Sequence, residues 1–140
     1  MPERGEVWQV DFGVTAKVRP ALVISLPYAD ADRALIGVIP HTTATRGSQF
    51  EVVVAARFLG EGAFLVQGIQ AFPPRYFMRR LGVLTPAQLQ SVEDGLLRWL
   101  GVTNRNERSA RLNFEVQHRL VAKEALIGCF VSMSFSRSVV

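Results

Sequence analysis

The 140-residue chain has few of the side chains that bind metal ions or form disulfides. It has one cysteine, Cys129, and two histidines, His41 and His118, and these do not form a cluster with the spacing of metal ligands. A single cysteine also excludes an internal disulfide framework and is typical of a reducing cytosol. We therefore expect a cytoplasmic protein with neither a metal site nor another cofactor.

Long apolar runs and known nucleotide-binding motifs are missing as well. The apolar stretch at residues 125–131 is too short to cross a bilayer, and the first residues do not form a basic-then-apolar leader, so we expect no membrane association or secretion. The chain has no Gly-x-Gly-x-x-Gly, Gly-x-x-x-x-Gly-Lys-Ser/Thr or Gly-x-Ser-x-Gly motif. Dinucleotide-binding, P-loop and α/β-hydrolase functions therefore have no support.

An excess of positive charge is confined to the last quarter of the chain. Residues 1–102 carry ten Lys/Arg and nine Asp/Glu, a net of +1, whereas residues 103–140 carry six and three, a net of +3. The overall charge of +4 therefore says little about the first three quarters. A nucleic-acid function has to be argued from individual residues.

Hydrophobic patterning predicts six short strands in the first part of the chain. We expect them at residues 6–12, 18–26, 34–40, 50–55, 63–71 and 77–84. The first alternates apolar and polar residues, which indicates a half-buried strand, and the second is continuously apolar, which indicates burial on both faces. Short strands with tight connections are typical of a small antiparallel barrel of the SH3-like type.

A helix is predicted directly after these strands. Thr85 is a good N-cap and Pro86 suits the first helical position. Apolar residues then recur at spacings of three and four up to residue 100, and Gly101 ends the pattern. The sequence therefore predicts a mainly β, α+β domain over residues 1–102, in which a C-terminal amphipathic helix closes the barrel.

Residues 103–140 form a C-terminal extension of different character. Residues 107–126 are compatible with a helix, and the remainder is apolar and Ser-rich without a clear period. We expect either a separate docking helix or disorder in this extension.

Two groups of polar residues lie where neighbouring strands begin and end. Lys17 and Arg19 stand at the entrance to the second strand, and His41 and Thr42 stand at the exit of the third. Adjacent antiparallel strands place the start of one beside the end of the other, so Arg19 and Thr42 can meet. A guanidinium and hydroxyls at one rim would suit a phosphodiester. The alternative is that Arg19 is an ordinary surface residue and the threonines are turn residues.

Five segments in chain order carry a resemblance to a known family. They are Arg-Gly-Glu-Val-Trp-x-Val-Asp-Phe (4–12), Arg-Pro-Ala-Leu-Val-Ile-Ser (19–25), Val-Ile-Pro-His-Thr-Thr (38–43), Arg-Gly-x-x-Phe-Glu-Val (46–52) and Gly-x-Leu-Thr-Pro-x-Gln-Leu (82–89). The set resembles the MazF/PemK family, the ribonuclease toxins of bacterial toxin–antitoxin pairs. The resemblance covers residues 4 to about 102 and does not include the extension.

The resemblance implies an SH3-like barrel that forms a homodimer and cleaves single-stranded RNA without a metal ion. The adjacent ribose 2′-hydroxyl would be the nucleophile, which yields a 2′,3′-cyclic phosphate and a 5′-hydroxyl. The family's catalytic arginine falls on Arg19 and its threonine on Thr42. A cognate antitoxin with an acidic, partly disordered segment is the implied partner, and DNA contact is expected only through the antitoxin complex.

The sequence departs from the family where acidic residues are concerned. Residues 13–18 contain no carboxylate, and Val66 stands where many members have an acidic residue before Gln67. Proton transfer therefore needs another group, and we hypothesise that His41 is the general base or acid, because an unperturbed histidine has a pKa of about 6.5. His41 and Thr42 would point to opposite faces of an extended strand, so this role requires the strand to bend before Thr42. The alternative is that His41 is a hydrogen-bonded loop residue.

RNA contacts are expected from side chains around the same rim. The candidates are Lys17, Thr43, Arg46, Gln67 and Arg79. Two alternatives to an RNA-cleaving toxin stay open at this point. A related toxin family with the same barrel poisons DNA gyrase by binding it, and a family member that has lost acidic residues can also be inactive.

Overall fold

The computed structural model describes residues 1–15, 17–102 and 105–134. Seven strands and two α-helices lie in these residues: β1 (Glu6–Asp11), β2 (Val18–Val23), β3 (Ile36–Thr42), β4 (Glu51–Val52), β5 (Ala63–Leu65), β6 (Gln70–Phe72), β7 (Phe77–Val83), α1 (Pro86–Trp99) and α2 (Arg105–Ser134). Two compact units, Met1–Val102 and Thr103–Val140, make up the chain. Residues 103, 104 and 135–140 of the expected extension lie outside the described residues.

The strands of the first unit form one antiparallel sheet. Their order is β4-β5-β3-β2-β1-β7, and β6 pairs with β3 beside this path. Among the described residues, β4 and β7 do not pair with each other, so the sheet is open. The expected mainly β, α+β class with a helix is confirmed, whereas closure into a barrel is not.

The strand predicted at residues 63–71 is in fact two strands, β5 and β6, which pair with different parts of β3. Phe64 pairs with His41, and Gln70 pairs with Val38, so six steps along one strand face only three along the other. A 3₁₀ turn at Val66–Gly68 takes up the three extra residues. A Cβ on Gly68 would lie 2.9 Å from Cγ of Pro40, so the turn packs closely over this ring. A proline has no N–H to donate to a continuous ladder, which favours the interruption here.

Both faces of the central strands are buried, and each face has its own apolar cluster. The helix-side core consists of Val7, Leu22, Ile24, Ile39, Val54, Phe64, Val66, Leu84 and Val92. The aromatic-covered core consists of Val10, Ala21, Val23, Ile36 and Val38, with six aromatic side chains packed against it. The expectation that residues 18–26 are buried on both faces is confirmed for residues 21–24 and wrong at the ends, where Val18 and Leu26 are exposed. The expectation that β1 is half-buried is wrong, because Val7 and Val10 are fully buried in different clusters.

Helix α1 covers the helix-side core and begins where the sequence predicts. The Thr85 hydroxyl accepts from the N–H of Gln88, and the Gln88 side chain accepts from the N–H of Thr85, which is a capping box. Within the helix, a Cβ on Gly95 would lie 2.8 Å from Val52, so the missing side chain lets α1 approach β4. Gly101, at a φ of +71°, follows the last turn.

Helix α2 lies in the second unit and has 30 residues, more than the 107–126 expected. Its apolar side chains within residues 112–126 are exposed; Phe114, for example, is 67% exposed. Within the described part of the chain, neither helix combines the length and the apolar character needed to cross a membrane.

Candidate functional site

Arg19 and Thr42 lie on neighbouring strands just beyond the end of a ladder. Strands β2 and β3 pair through Ala21↔Pro40 as the last register pair. Continued by two residues beyond this pair, the register would set Arg19 opposite Thr42, and residues opposite each other in an antiparallel pair project from the same face. Side-chain alternation agrees, since Arg19 lies two positions before Ala21 and Thr42 lies four positions after Val38, and Ala21 and Val38 both belong to the aromatic-covered core.

The Arg19 guanidinium is held against an aromatic ring. Its Cζ lies 5.8 Å from the centroid of the Phe12 ring, a cation–π geometry, and the residue is half-buried. Arg19 pairs with Val10 of β1, so β1 and β2 fix the backbone from which this side chain extends. Packing of the arginine stem over Phe12 restricts where the charged group can lie.

Thr42 is the last residue of β3 and is half-buried. It pairs with Ala63 of β5, and its Oγ1 accepts a hydrogen bond from the N–H of Ala44 at 3.2 Å. A threonine hydroxyl that accepts in this way still has its own O–H to donate. The residue can therefore offer a neutral donor to an oxygen of a bound anion.

The loop that follows Thr42 is organised by one carboxylate, which the sequence does not reveal. Glu51 of β4 accepts hydrogen bonds from the backbone N–H groups of Arg46, Gly47 and Ser48 at 3.0 to 3.3 Å. Three consecutive N–H donors on one carboxylate fix the path of the loop. The only sequence signal is that Glu51 lies in a motif shared with the family, and motif membership alone does not assign this contact.

His41 lies on the opposite side of β3 from Thr42. It is 5% exposed, and its ring packs edge-to-face on Phe64 with 5.2 Å between centroids. Its Nε2 is buried and has no hydrogen-bond partner among the described residues. Desolvation by burial lowers the pKa of His41 below its ordinary value. Strand β3 stays extended through Thr42, so the structure does not bring His41 together with Arg19 and Thr42.

The other predicted RNA-contacting residues are exposed at different places. Lys17 sits in the β1–β2 turn with a φ of +55°, two residues before Arg19, and Thr43 directly follows Thr42. Gln67 lies in the 3₁₀ turn that packs over the ring of Pro40. Arg79 pairs with Gln9 on the edge strand β7, on the face opposite to that of Arg19. Arg79 is thus not grouped with the other candidates.

A cavity of about 1060 Å³ opens next to Thr42. Its walls are the chain leaving β3, at Thr43 and Thr45, and the segment entering β5, at residues 53–57 and 59–62. The two walls diverge from the pair Thr42↔Ala63. Sequence reasoning did not find this cavity, because its shape depends on how two loops separate beyond a strand pair. In the described part of the chain, His, Cys, Asp and Glu residues do not form a group of three that could hold a metal ion.

Gly62 keeps the entry to β5 close to the end of β3. A Cβ at this position would collide with the backbone oxygen of Thr42 and lie 2.8 Å from Cε1 of His41. The residue also has a φ of +145°, which side-chain-bearing residues rarely adopt. Glycine is therefore required for the present position of Thr42 relative to β5.

The same fold is found in solved structures of bacterial toxins. The chain is 26% identical to the MazF of a MazE-MazF structure from Deinococcus radiodurans, with a TM-score of 0.61, over 73% of this chain and 97% of that one. An endoribonuclease from a mycobacterial species, in complex with its cognate antitoxin, is 24% identical, with a TM-score of 0.65 over 74% and 99%. The Mycobacterium tuberculosis toxin MazF-mt6 is 21% identical, with a TM-score of 0.60 over 71% and 99%.

A family model identifies the first unit directly. Residues 3–100 match the model described as PemK-like, MazF-like toxin of type II toxin-antitoxin system. The match covers most of the chain and nearly all of the unit that contains Arg19 and Thr42. The protein belongs to the PemK/MazF-like toxins of type II toxin–antitoxin systems, and the resemblance found in the sequence is confirmed.

Proposed function

We propose that this toxin is an endoribonuclease that cleaves single-stranded RNA without a metal ion, by transphosphorylation from the ribose 2′-hydroxyl. The single observation that supports the proposal is the β2–β3 register, which ends at Ala21↔Pro40 and, continued by two residues, would set Arg19 opposite Thr42 on one face. Family membership supports it, since a mycobacterial structural neighbour is described as an endoribonuclease. The toxin would act on its RNA substrate in the cytoplasm.

In the proposed reaction, the 2′-oxygen attacks the adjacent phosphorus and the bond from phosphorus to the 5′-oxygen breaks. The products are a 2′,3′-cyclic phosphate and a 5′-hydroxyl. Negative charge develops on the phosphoryl oxygens in the transition state, and the guanidinium of Arg19 stabilises it there. The hydroxyl of Thr42 donates a hydrogen bond to the same phosphate. Arginine cannot serve as the base, because it keeps its proton in proteins.

The hypothesis drawn from the sequence is that His41 transfers the proton in this mechanism, as general base or acid. For that role, the ring would have to leave its packing on Phe64 and pass to the other side of β3. A folded His41→Ala variant that keeps full activity would remove His41 from the mechanism. A bound water or the substrate's own oxygens would then have to carry the proton.

The proposal includes the partners implied by the family. We expect the SH3-like domain to form a homodimer. We also expect an antitoxin to neutralise the toxin with an acidic segment that competes with RNA for Arg19 and Arg46. Two structural neighbours, from Deinococcus radiodurans and from a mycobacterial species, are complexes of a toxin with its antitoxin. DNA contact would come only through that complex.

The experiment is incubation of the purified full chain with a long unstructured RNA in EDTA, followed by end-group analysis. We expect cyclic phosphate and 5′-hydroxyl ends, and a loss of roughly 100-fold or more in rate for Arg19→Ala, the cost of removing a preorganised donor. Thr42→Val should lose activity that Thr42→Ser retains. Arg33→Ala, an exposed arginine in another loop, is the matched control. If no RNA is cleaved, the non-catalytic alternative of a protein-binding toxin is favoured.

A further inference from the structure

Two side chains of opposite charge line the cavity next to Thr42 and do not form an ion pair with each other among the described residues. Arg57 and Glu61 both line it and are exposed, and in the described residues neither takes part in a salt bridge. A guanidinium and a carboxylate that share a cavity without pairing can be matched by a ligand that offers both acceptors and donors.

The remaining lining suits the flat apolar faces of a nucleobase. Val53 is 76% exposed, and Leu59 stands in the same wall. Hydroxyls of Thr43 and Thr45 form the opposite wall. The volume of about 1060 Å³ lies at the upper end of small-molecule sites, which are about 300–1,000 Å³, so a whole nucleotide has room.

Continuity with Thr42 indicates which ligand reaches the cavity. Its walls begin at Thr43 and Gly62, directly beyond the pair Thr42↔Ala63. A nucleotide attached to a phosphate at Thr42 would therefore extend between these walls. Sequence-specific proteins read single-stranded RNA in this way, by accepting splayed bases and bonding to their edges.

We propose that this cavity binds a guanine base next to the scissile phosphate and that Arg57 and Glu61 determine this specificity. The inference rests on the proposed function. Guanine presents the N1–H and N2–H donors to the carboxylate of Glu61 and the O6 and N7 acceptors to the guanidinium of Arg57. Uracil has no exocyclic amino group and offers Glu61 only its N3–H, so it cannot make the paired contact that guanine makes through N1–H and N2–H.

The first test sequences the 5′-hydroxyl ends left by the full chain on an RNA of random sequence in EDTA. Guanine is expected to be enriched at one position beside the cut, and Glu61→Gln or Arg57→Ala should remove the enrichment from the cuts that remain. Asp30→Asn and Arg33→Ala, exposed charges in a loop that does not line the cavity, should keep it. Enrichment of another base, or guanine enrichment that survives Glu61→Gln, overturns the proposal.

A second test does not depend on cleavage. In an NMR titration, guanosine 3′-monophosphate should shift the amides of residues 43–45 and 53–62 and bind roughly tenfold more tightly than uridine 3′-monophosphate, the discrimination of one bidentate contact. Glu61→Gln should abolish the difference. Equal binding of the two nucleotides overturns the cavity assignment, whereas guanosine-selective binding without any RNA cleavage overturns only the nuclease proposal.

Discussion

The loop between β3 and β4 should open when Glu51 is changed to glutamine. The substitution keeps the size of the side chain but replaces a charged acceptor with a neutral amide. Oε2 accepts from the N–H groups of Arg46, Gly47 and Ser48, and Oε1 accepts from Arg46 alone, so a glutamine with its oxygen at the Oε2 position keeps a neutral acceptor for all three donors while its NH₂ group faces the N–H of Arg46. The three bonds are therefore expected to lose the strength that the charge of the acceptor gives them, and the loop should open more often.

The size of the effect follows from the bonds that are weakened. A hydrogen bond to a charged group contributes about 1.5–3 kcal/mol when it is well shielded. A bond to a neutral acceptor contributes about 0.5–1.5 kcal/mol, and because these donors are mostly exposed we take a difference of about 2 kcal/mol for the three bonds together. This corresponds to roughly a thirtyfold increase in the open population.

Amide hydrogen exchange measures this population residue by residue. Protection at residues 46–48 should fall roughly thirtyfold in Glu51→Gln, while the amides of β1–β3 keep theirs. Asp30→Asn, an exposed carboxylate for which the described residues supply no hydrogen bond, should change nothing at this loop. Under the proposed function, the KM for RNA should also rise more than kcat falls, because Arg46 loses its position. Unchanged protection at residues 46–48 in a folded variant would refute the reasoning.

The remaining predictions concern the two sides of β3. Burial lowers the pKa of His41 from 6.5, so the unfolded chain binds the proton more tightly and the free energy of unfolding should fall as the pH drops below about 6.5. In urea unfolding between pH 7 and 5, His41→Gln should flatten this decline; an unchanged slope in this variant contradicts a buried histidine with a lowered pKa. Gly62→Ala should lower stability by about 1–3 kcal/mol through its positive φ, with further loss from the collision at β3. Gly60→Ala, with open space around it, is the control, and equal unfolding midpoints for the two variants would disprove the constraint.

The sequence predicted the fold where local patterns decide structure. The capping pair Thr85 and Gln88 and the apolar spacing that follows located α1, because a helix end is specified by a few adjacent residues. The division of residues 63–71 was missed, since apolar patterning is the same in two short strands as in one long one. It depends on the register of β3 on its other side, which involves residues far apart in the chain.

Prediction of the site from sequence extends to backbone position and does not reach the surroundings of the side chains. The connection of adjacent strands predicts that Arg19 and Thr42 can lie opposite each other, and this stays a prediction. The surroundings of His41 depend on Phe64, which lies 23 positions further along the chain, and period-two alternation gives only the side of the strand on which the ring lies. The contacts of Glu51 with loop N–H groups and the cavity walls are likewise set by loop conformation, for which a single sequence has no periodic signal.

The place of Thr42 at the end of a strand has a consequence for ligand affinity. A residue in a mobile loop loses backbone freedom when it binds, at a cost of about 1–2 kcal/mol. Thr42 has already paired with Ala63, and its hydroxyl is oriented by the N–H of Ala44. Binding then restricts little more than the rotation of one hydroxyl hydrogen, so the entropy cost is small. Almost all of the interaction free energy between this threonine and an anion can therefore contribute to binding affinity.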